Sequence, residues 1–368
     1  MKAAIYPGSG RPIVIETIAD PEPGPGDLLI RVDRCGICGT DLAMTRGGAW
    51  DFGAGVQFGH EFAGTVVEVG RGVEGWKVGD PLAVLPSVAC GQCETCRAHG
   101  NNVLCRESPA RASVGFAQYA RIPASVATPL PKTLSMADGA LIEPLAISLY
   151  GTQMARIRPG ERVLVLGGGT VALYAIWWAR RLGAGRVTAM SRSSRRRDLC
   201  LQMGADAFVA FGDNEAGEVV EALGGAPQVV LEGVGAPGML GRAVQHAAPF
   251  GRIVSLGFCT APDPVIPAIA SYKCVSMHFA VGYSMREFLF IADLLGRGHV
   301  HADPKAIVTD TIALEQLPAM FETCAARMRK PRSTCAASDR VTLNRHCERS
   351  EAIQGSLEPL WIASLRSQ

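Results

Sequence analysis

Arg162-Val163-Leu164-Val165-Leu166-Gly167-Gly168-Gly169-Thr170-Val171-Ala172-Leu173-Tyr174-Ala175-Ile176 is the run that decides the fold. Its first residues form a short apolar strand, and three glycines follow. Apolar residues at 172, 175, 176 and 179 then fall on one face of a helix. The spacing G-x-G-x-x-A over 167–172 therefore lies between a strand and a helix, the context in which it describes a dinucleotide turn. Gly167 permits the tight turn, Gly169 lets the backbone approach a pyrophosphate, and Ala172 still allows close helix–strand packing. The helix start at Gly169, Thr170 and Val171 offers N–H donors and a favourable dipole to phosphate.

Outward from this turn the rhythm is regular. Strands are expected at 186–190, 208–210, 229–231 and 252–256, with helices at 194–203, 215–223 and 239–247 between them. Alternating strands and helices predict a parallel, doubly wound sheet with helices on both faces. The second strand ends Thr188-Ala189-Met190-Ser191-Arg192. An NAD site usually places an acid near Ser191 to bind the ribose hydroxyls. None is present, and Arg192, Arg195, Arg196 and Arg197 follow instead. A guanidinium pairs well with a 2′-phosphate. The expectation is NADP over NAD, with Ser191, Arg192 and Arg196 as contacts; the alternative is a solvated helix start.

Residues 1–150 read differently. Short β-branched runs at 28–32, 65–69 and 81–85 are separated by Gly/Pro turns, which predicts a β-rich, partly barrel-like domain. A dinucleotide domain is expected over 151–283, and helices near 285–296 and 314–326 belong to a return over 284–327. From 328 to 368 periodicity dissolves, and a poorly ordered tail is expected.

Composition narrows the function. Of 368 residues 48% are hydrophobic and 19% charged, and the net charge is +2, so no nucleic acid, membrane surface or acidic polymer is called for. Residues 1–16 lack the apolar core of a signal peptide, and 163–179 is short for a span and interrupted by glycines. A cytoplasmic location is expected, where closely spaced cysteines are read as metal ligands before disulfides.

Of the 12 cysteines, Cys90, Cys93, Cys96 and Cys105 can surround one zinc ion and leave no open position, a structural site. A second group is Cys35-Gly36-Ile37-Cys38-Gly39-Thr40-Asp41 followed by Gly59-His60-Glu61. Thiolate, imidazole and carboxylate are all good zinc ligands. Alone this group is weak; beside a zinc loop and a nucleotide turn it is sharper.

Here the chain resembles the zinc-containing medium-chain alcohol dehydrogenases, especially the polyol and threonine dehydrogenase branch. The motifs are I-C-G-T-D at 37–41, G-H-E at 59–61, V-G-D at 78–80, C-G-Q-C-E-T-C at 90–96, I-E-P-L-A at 142–146 and V-L-G-G-G at 165–169. The resemblance covers residues 1 to about 326. It implies an α/β chain in which a Rossmann-type doubly wound parallel sheet joins a β-rich GroES-like catalytic domain. It implies catalytic zinc at Cys38 and His60, with Glu61 and Glu143 both open as the carboxylate ligand. It further implies Asp41 as the acceptor that orients His60, and Thr40 as the hydroxyl that starts proton relay. Cys35 is expected to be a packed thiol. In two places the chain departs from the pattern: the gap from Cys96 to Cys105 is one residue longer, and Ala43 replaces a histidine that often aids proton exit.

The expected activity is hydride transfer between an alcohol or carbonyl compound and the dinucleotide, in a homodimer or homotetramer. The substrate stays open: the branch suggests a polyol, diol or hydroxy-amino acid, while Trp50, Phe52 and Phe116 could line an apolar pocket, though packing is the simpler role for them. Rivals are a zinc-free quinone or enone reductase of the same superfamily, which retention of Cys38, His60 and Glu143 disfavours, and a non-catalytic nucleotide sensor. The run His346-Cys347-Glu348-Arg349-Ser350-Glu351-Ala352 looks like a translated intergenic repeat, so the tail is not expected to supply the short strand with which the family usually ends.

Overall fold

A computed structural model describes residues 1–45, 53–108, 112–298, 301–329 and 360–362. Trp50, Phe52 and most of the tail lie outside the described residues, whereas Phe116 is wholly buried in the core.

The decisive run is the central strand of a six-stranded parallel sheet. The spatial order is Ala207–Ala210, Arg186–Ser191, Arg162–Leu166, Val229–Glu232, Arg252–Ser255 and Ser276–Phe279. Side chains alternate along a strand, so Val163 and Val165 enter one apolar layer and Leu164 and Leu166 the other. That two-sided burial is why the segment is apolar throughout. The sixth strand, Ser276–Phe279, and the preceding helix, Pro267–Lys273, were not foreseen. The strand sits at the sheet edge, mostly exposed, and carries no apolar run.

The N-terminal part holds a five-stranded antiparallel sheet in the order Tyr119–Pro123, Asp27–Gly36, Glu61–Val69, Pro81–Val84, Ala127–Pro129. A three-stranded sheet of Val14–Thr17, Lys2–Tyr6 and Val56–Gln57 lies with it. The pairing of Asp27–Gly36 with Glu61–Val69 ends at Gly36 opposite Glu61. This register brings the Cys38 segment alongside His60 and Glu61.

The helix Ile142–Met154 joins the two parts, so the boundary expected at 150/151 falls inside it. Nearly all of its first three turns are buried. Ser148 Oγ donates to the Val171 carbonyl at 3.1 Å, and Trp178 Nε1 donates to the Leu145 carbonyl at 3.0 Å. Gly151 is required at the contact with the nucleotide sheet, because a Cβ there would lie 2.0 Å from Leu256 Cδ2. The segment after the nucleotide sheet packs back on both parts. Helix Met285–Gly296 lies against Ile142–Met154 and Ala127–Pro129, and Phe321 of helix Leu317–Arg329 meets the rings of Phe58 and Phe116 edge-on.

The tail corrects one expectation. Leu360–Ile362 forms a strand antiparallel to Thr311–Ala313 and lies beside Asp27–Gly36. The surrounding repeat-like sequence concealed it. Among the described residues no helix is long and apolar enough to cross a membrane.

Candidate metal and dinucleotide sites

The strand ending at Gly36 delivers Cys38 to the start of helix Gly39–Met44. There the Thr40 N–H donates to Cys38 Sγ at 3.4 Å, and the Cys38 N–H donates to Asp41 Oδ2 at 3.0 Å. The other Asp41 oxygen lies 3.1 Å from His60 Nδ1. A carboxylate only accepts, so Nδ1 carries the proton and Nε2 remains for a metal. Gly59 makes this turn at φ +97°, and a Cβ would strike the Phe116 ring at 2.7 Å. Ligand atoms of Cys38, His60 and Glu61 all lie within 4.8 Å of one another. Cys35 is outside that group and is buried, its thiol pushed well above the usual range by burial and then by Asp41 and Glu61. It is the packed thiol expected.

The electrostatics favour a cation. Cys38, Asp41 and Glu61 are almost fully buried. Burial alone disfavours a charged His60 ring, yet the Asp41 carboxylate and Cys38 thiolate outweigh it and hold the ring well above its ordinary value. Clustered buried anions are costly unless something positive joins them.

Glu143 occupies the first turn of Ile142–Met154 and is 5% exposed. Its carboxylate is not part of the close group of three. One oxygen accepts from the Tyr283 hydroxyl; the other is buried with no hydrogen-bond partner among the described residues. Tyr283 is 3% exposed. Burial raises its hydroxyl well above its usual pKa, and the charges of Glu143, Glu61 and Cys38 add to this. Thr40 is half-buried beside Cys38.

Cys90, Cys93, Cys96 and Cys105 also converge, with all four sulfurs within 4.8 Å of one another. Cys90 and Cys96 are 3.9 Å apart, and Cys93 and Cys96 are 3.4 Å apart. Tetrahedral zinc–thiolate bonds of about 2.3 Å put sulfurs about 3.8 Å apart, so the set fits the ion. The longer gap before Cys105 is absorbed within the loop. Backbone N–H groups of Cys96 and Arg106 lower the Cys93 thiol to about 6, whereas burial and sulfur neighbours push Cys96 up to about 12.

At the dinucleotide turn Gly167 has φ +115°, and a Cβ there would press on Ala172 Cβ and Val234 Cγ2, both at 3.1 Å. Gly169 caps the helix Thr170–Arg181, and Thr170 and Val171 are buried at its start. Ser191 ends the neighbouring strand, half-buried, with Arg192 exposed beyond it. Arg196 lies beneath the same turn. It is buried, with its guanidinium lowered to about 10 by desolvation, and it donates to the Gly168 carbonyl at 3.1 Å. It supports the turn. Two further residues escaped the sequence reading. Glu232 accepts from the N–H groups of Val234 and Gly235 at 2.6 and 2.8 Å, fixing the turn that faces Gly167. Its only signal was an acid closing an apolar strand before G-V-G. Tyr283 had no motif at all.

A doubly wound dinucleotide domain, a β-rich domain bearing a Cys–His–Glu metal group and a four-cysteine loop define a zinc-dependent dehydrogenase. Comparison agrees. Residues 24–132 match the family model "Alcohol dehydrogenase GroES-like domain", and residues 170–292 match "Zinc-binding dehydrogenase". The (R,R)-butanediol dehydrogenase of Bacillus subtilis (strain 168) is 31% identical over 337 residues, covering 86% of this chain and 94% of that protein. An L-threonine 3-dehydrogenase of Pyrococcus horikoshii is 32% identical over 308 residues, covering 81% of this chain and 87% of that one. A crystal structure described as a zinc-binding dehydrogenase of Sinorhizobium meliloti 1021 bound to NADP has a TM-score of 0.79 at 29% identity, covering 98% of each chain. The chain belongs to the zinc-containing medium-chain alcohol dehydrogenase family. It is a zinc-dependent oxidoreductase that transfers hydride between an alcohol and a nicotinamide dinucleotide.

Proposed function

We propose that the substrate is a diol, polyol or hydroxy-amino acid and that NADP is the preferred acceptor. The observation that carries the reading is the convergence of Cys38, His60 and Glu61 within 4.8 Å, buried and oriented by Asp41. Two relatives act, by their names, on a diol and on a hydroxy-amino acid. NADP preference is supported by Ser191 and exposed Arg192 where an acid would repel a 2′-phosphate.

Zinc held by Cys38, His60 and a carboxylate, Glu61 or Glu143, supplies Lewis-acid chemistry at the alcohol oxygen. The chain's own groups do the rest. Asp41 keeps the His60 proton on Nδ1. The Thr40 N–H steadies the Cys38 sulfur, and the Thr40 hydroxyl takes the alcohol proton and passes it outward. A bound nicotinamide ring would supply the hydride acceptor, chemistry that is the cofactor's own. Gly169, Thr170 and Val171 would hold the pyrophosphate at the helix start. Helix Ile142–Met154 ties the two sites together. Glu143 and Ser148, which bonds to Val171, are about 7.5 Å apart along its axis.

The test is a panel of diols, polyols and hydroxy-amino acids run on zinc-loaded protein with NADP and NAD in parallel. Turnover of at least one class with higher kcat/KM for NADP is expected. No turnover with either dinucleotide, in protein containing both zinc equivalents, would end the proposal. A homodimer or homotetramer in the cytoplasm is part of this reading, and light scattering tests the assembly.

A further inference from the structure

The four-cysteine loop touches the segment that holds Glu143. Within it, Asn101 is buried, and its Nδ2 donates to the Val281 carbonyl at 2.7 Å. Its Oδ1 accepts from the N–H groups of Val103 and Leu104 at 3.0 and 3.3 Å. The neighbouring Asn102 N–H donates to the Tyr283 carbonyl at 3.0 Å, while the Asn102 carbonyl receives the Cys105 N–H at 3.3 Å. Gly282 fits so closely that a Cβ would lie 2.5 Å from Asn101 Oδ1 and 2.7 Å from Val103 Cβ. Residues 281–283 are thus clasped by the stretch between Cys96 and Cys105. From there the Tyr283 hydroxyl reaches Glu143, whose second oxygen is buried without a hydrogen-bond partner among the described residues.

We infer that Tyr283 is a positioning residue of the catalytic metal centre: clasped by the four-cysteine loop through Asn101 and Asn102, it fixes Glu143 by one oxygen and leaves the other for the ion. The inference rests on a metal being held at Cys38, His60 and Glu61, and deepens that reading. It gives the structural metal a second task. By closing the loop, that metal keeps Asn101 and Asn102 in place and so reaches the catalytic centre through a chain of named bonds. Tyr283 is held from its other side by packing against Phe288, with ring centroids 5.4 Å apart. Losing the hydroxyl therefore leaves the ring seated and removes only the contact to Glu143.

The test uses the full zinc-loaded enzyme and follows zinc release to a chromogenic chelator, with Cys38→Ser identifying which kinetic phase belongs to the catalytic ion. Tyr283→Phe is expected to speed that phase roughly tenfold or more, as loss of a ligand-orienting partner does, and to leave the four-cysteine phase unchanged. Asn101→Ala, which alters neither ligand set, is expected to speed the catalytic phase as well. The double variant is expected to fall short of the product of the two effects, because both act through one path. Cobalt placed in the catalytic site should show a shifted visible spectrum in Tyr283→Phe, a readout that general destabilisation does not move. Wild-type release and spectrum in Tyr283→Phe, with both metals present in the parent, would overturn the positioning role alone. A parent whose zinc content is unaffected by Cys38→Ser would overturn the metal reading beneath it.

Discussion

Asp41→Asn isolates the device that aims His60. Asp41 is fully buried and offers one oxygen to the Cys38 N–H at 3.0 Å and the other to His60 Nδ1 at 3.1 Å. Asparagine keeps the shape but has one acceptor oxygen and, in place of the other, a donor NH2 group. The Cys38 N–H is fixed by the backbone and claims the carbonyl oxygen. The amide NH2 then faces His60 Nδ1, which must become an acceptor, so the ring proton moves to Nε2, the atom needed by the metal. Loss of an orienting partner costs about 10–100-fold in metal affinity, or about 1.4–2.8 kcal/mol. The expected result is catalytic-site zinc affinity lower by that factor in a chelator competition, with the four-cysteine zinc retained. Activity at limiting zinc should fall in parallel and recover in part at high zinc. Wild-type affinity at the Cys38 site in Asp41→Asn would refute the tautomer argument.

Arg192→Ala is expected to lower kcat/KM with NADP by roughly tenfold, the scale of one charge-assisted contact, and to change the NAD value little. Equal losses with both dinucleotides would show that Arg192 does not read the 2′-phosphate. Gly59→Ala places a methyl 2.7 Å from the Phe116 ring at φ +97°, and a destabilisation of about 2 kcal/mol or more is expected in denaturant unfolding. Burial depresses the His246 pKa despite the opposing pull of Glu215. The unfolded chain binds the proton more readily, so this contribution is fully present above about pH 6.5 and is lost as pH falls below that value through the lowered pKa of the folded state. Melting temperature should drop on acidification from about pH 7.5 to about 5.5, and less steeply in His246→Gln, whose side chain does not titrate.

How much was legible follows from what each segment must bury. The central strand Arg162–Leu166 packs on both faces, and both demands are written as an unbroken apolar run. The edge strand Ser276–Phe279 buries little and left no pattern. The helix Ile142–Met154 is covered on nearly every side, so it lacks the one-sided periodicity that marks a surface helix, and Pro144 in its first turn disguised it further. At the site, residues that touch a metal or a phosphate are restricted in type and appear as motifs. Residues that act at one remove are restricted only by position. Tyr283 and Glu232 therefore surfaced only with the fold. Arg196 was legible as a charge beside the nucleotide strand, but its buried bond to the Gly168 carbonyl was not. Leu360–Ile362 stayed hidden because three residues in a repeat-like tail carry no periodicity to read.

The helix shared between the two parts has a consequence for how this chain can vary. Glu143 and Ser148 keep a fixed rotation about one axis. A single residue inserted between them would swing the carboxylate by about 100° relative to the hydroxyl that meets Val171. Side chains there can be exchanged for others of like size, but the number of residues cannot change without unhooking one site from the other. In this stretch, descendants of the chain are free to edit the letters and not the spacing.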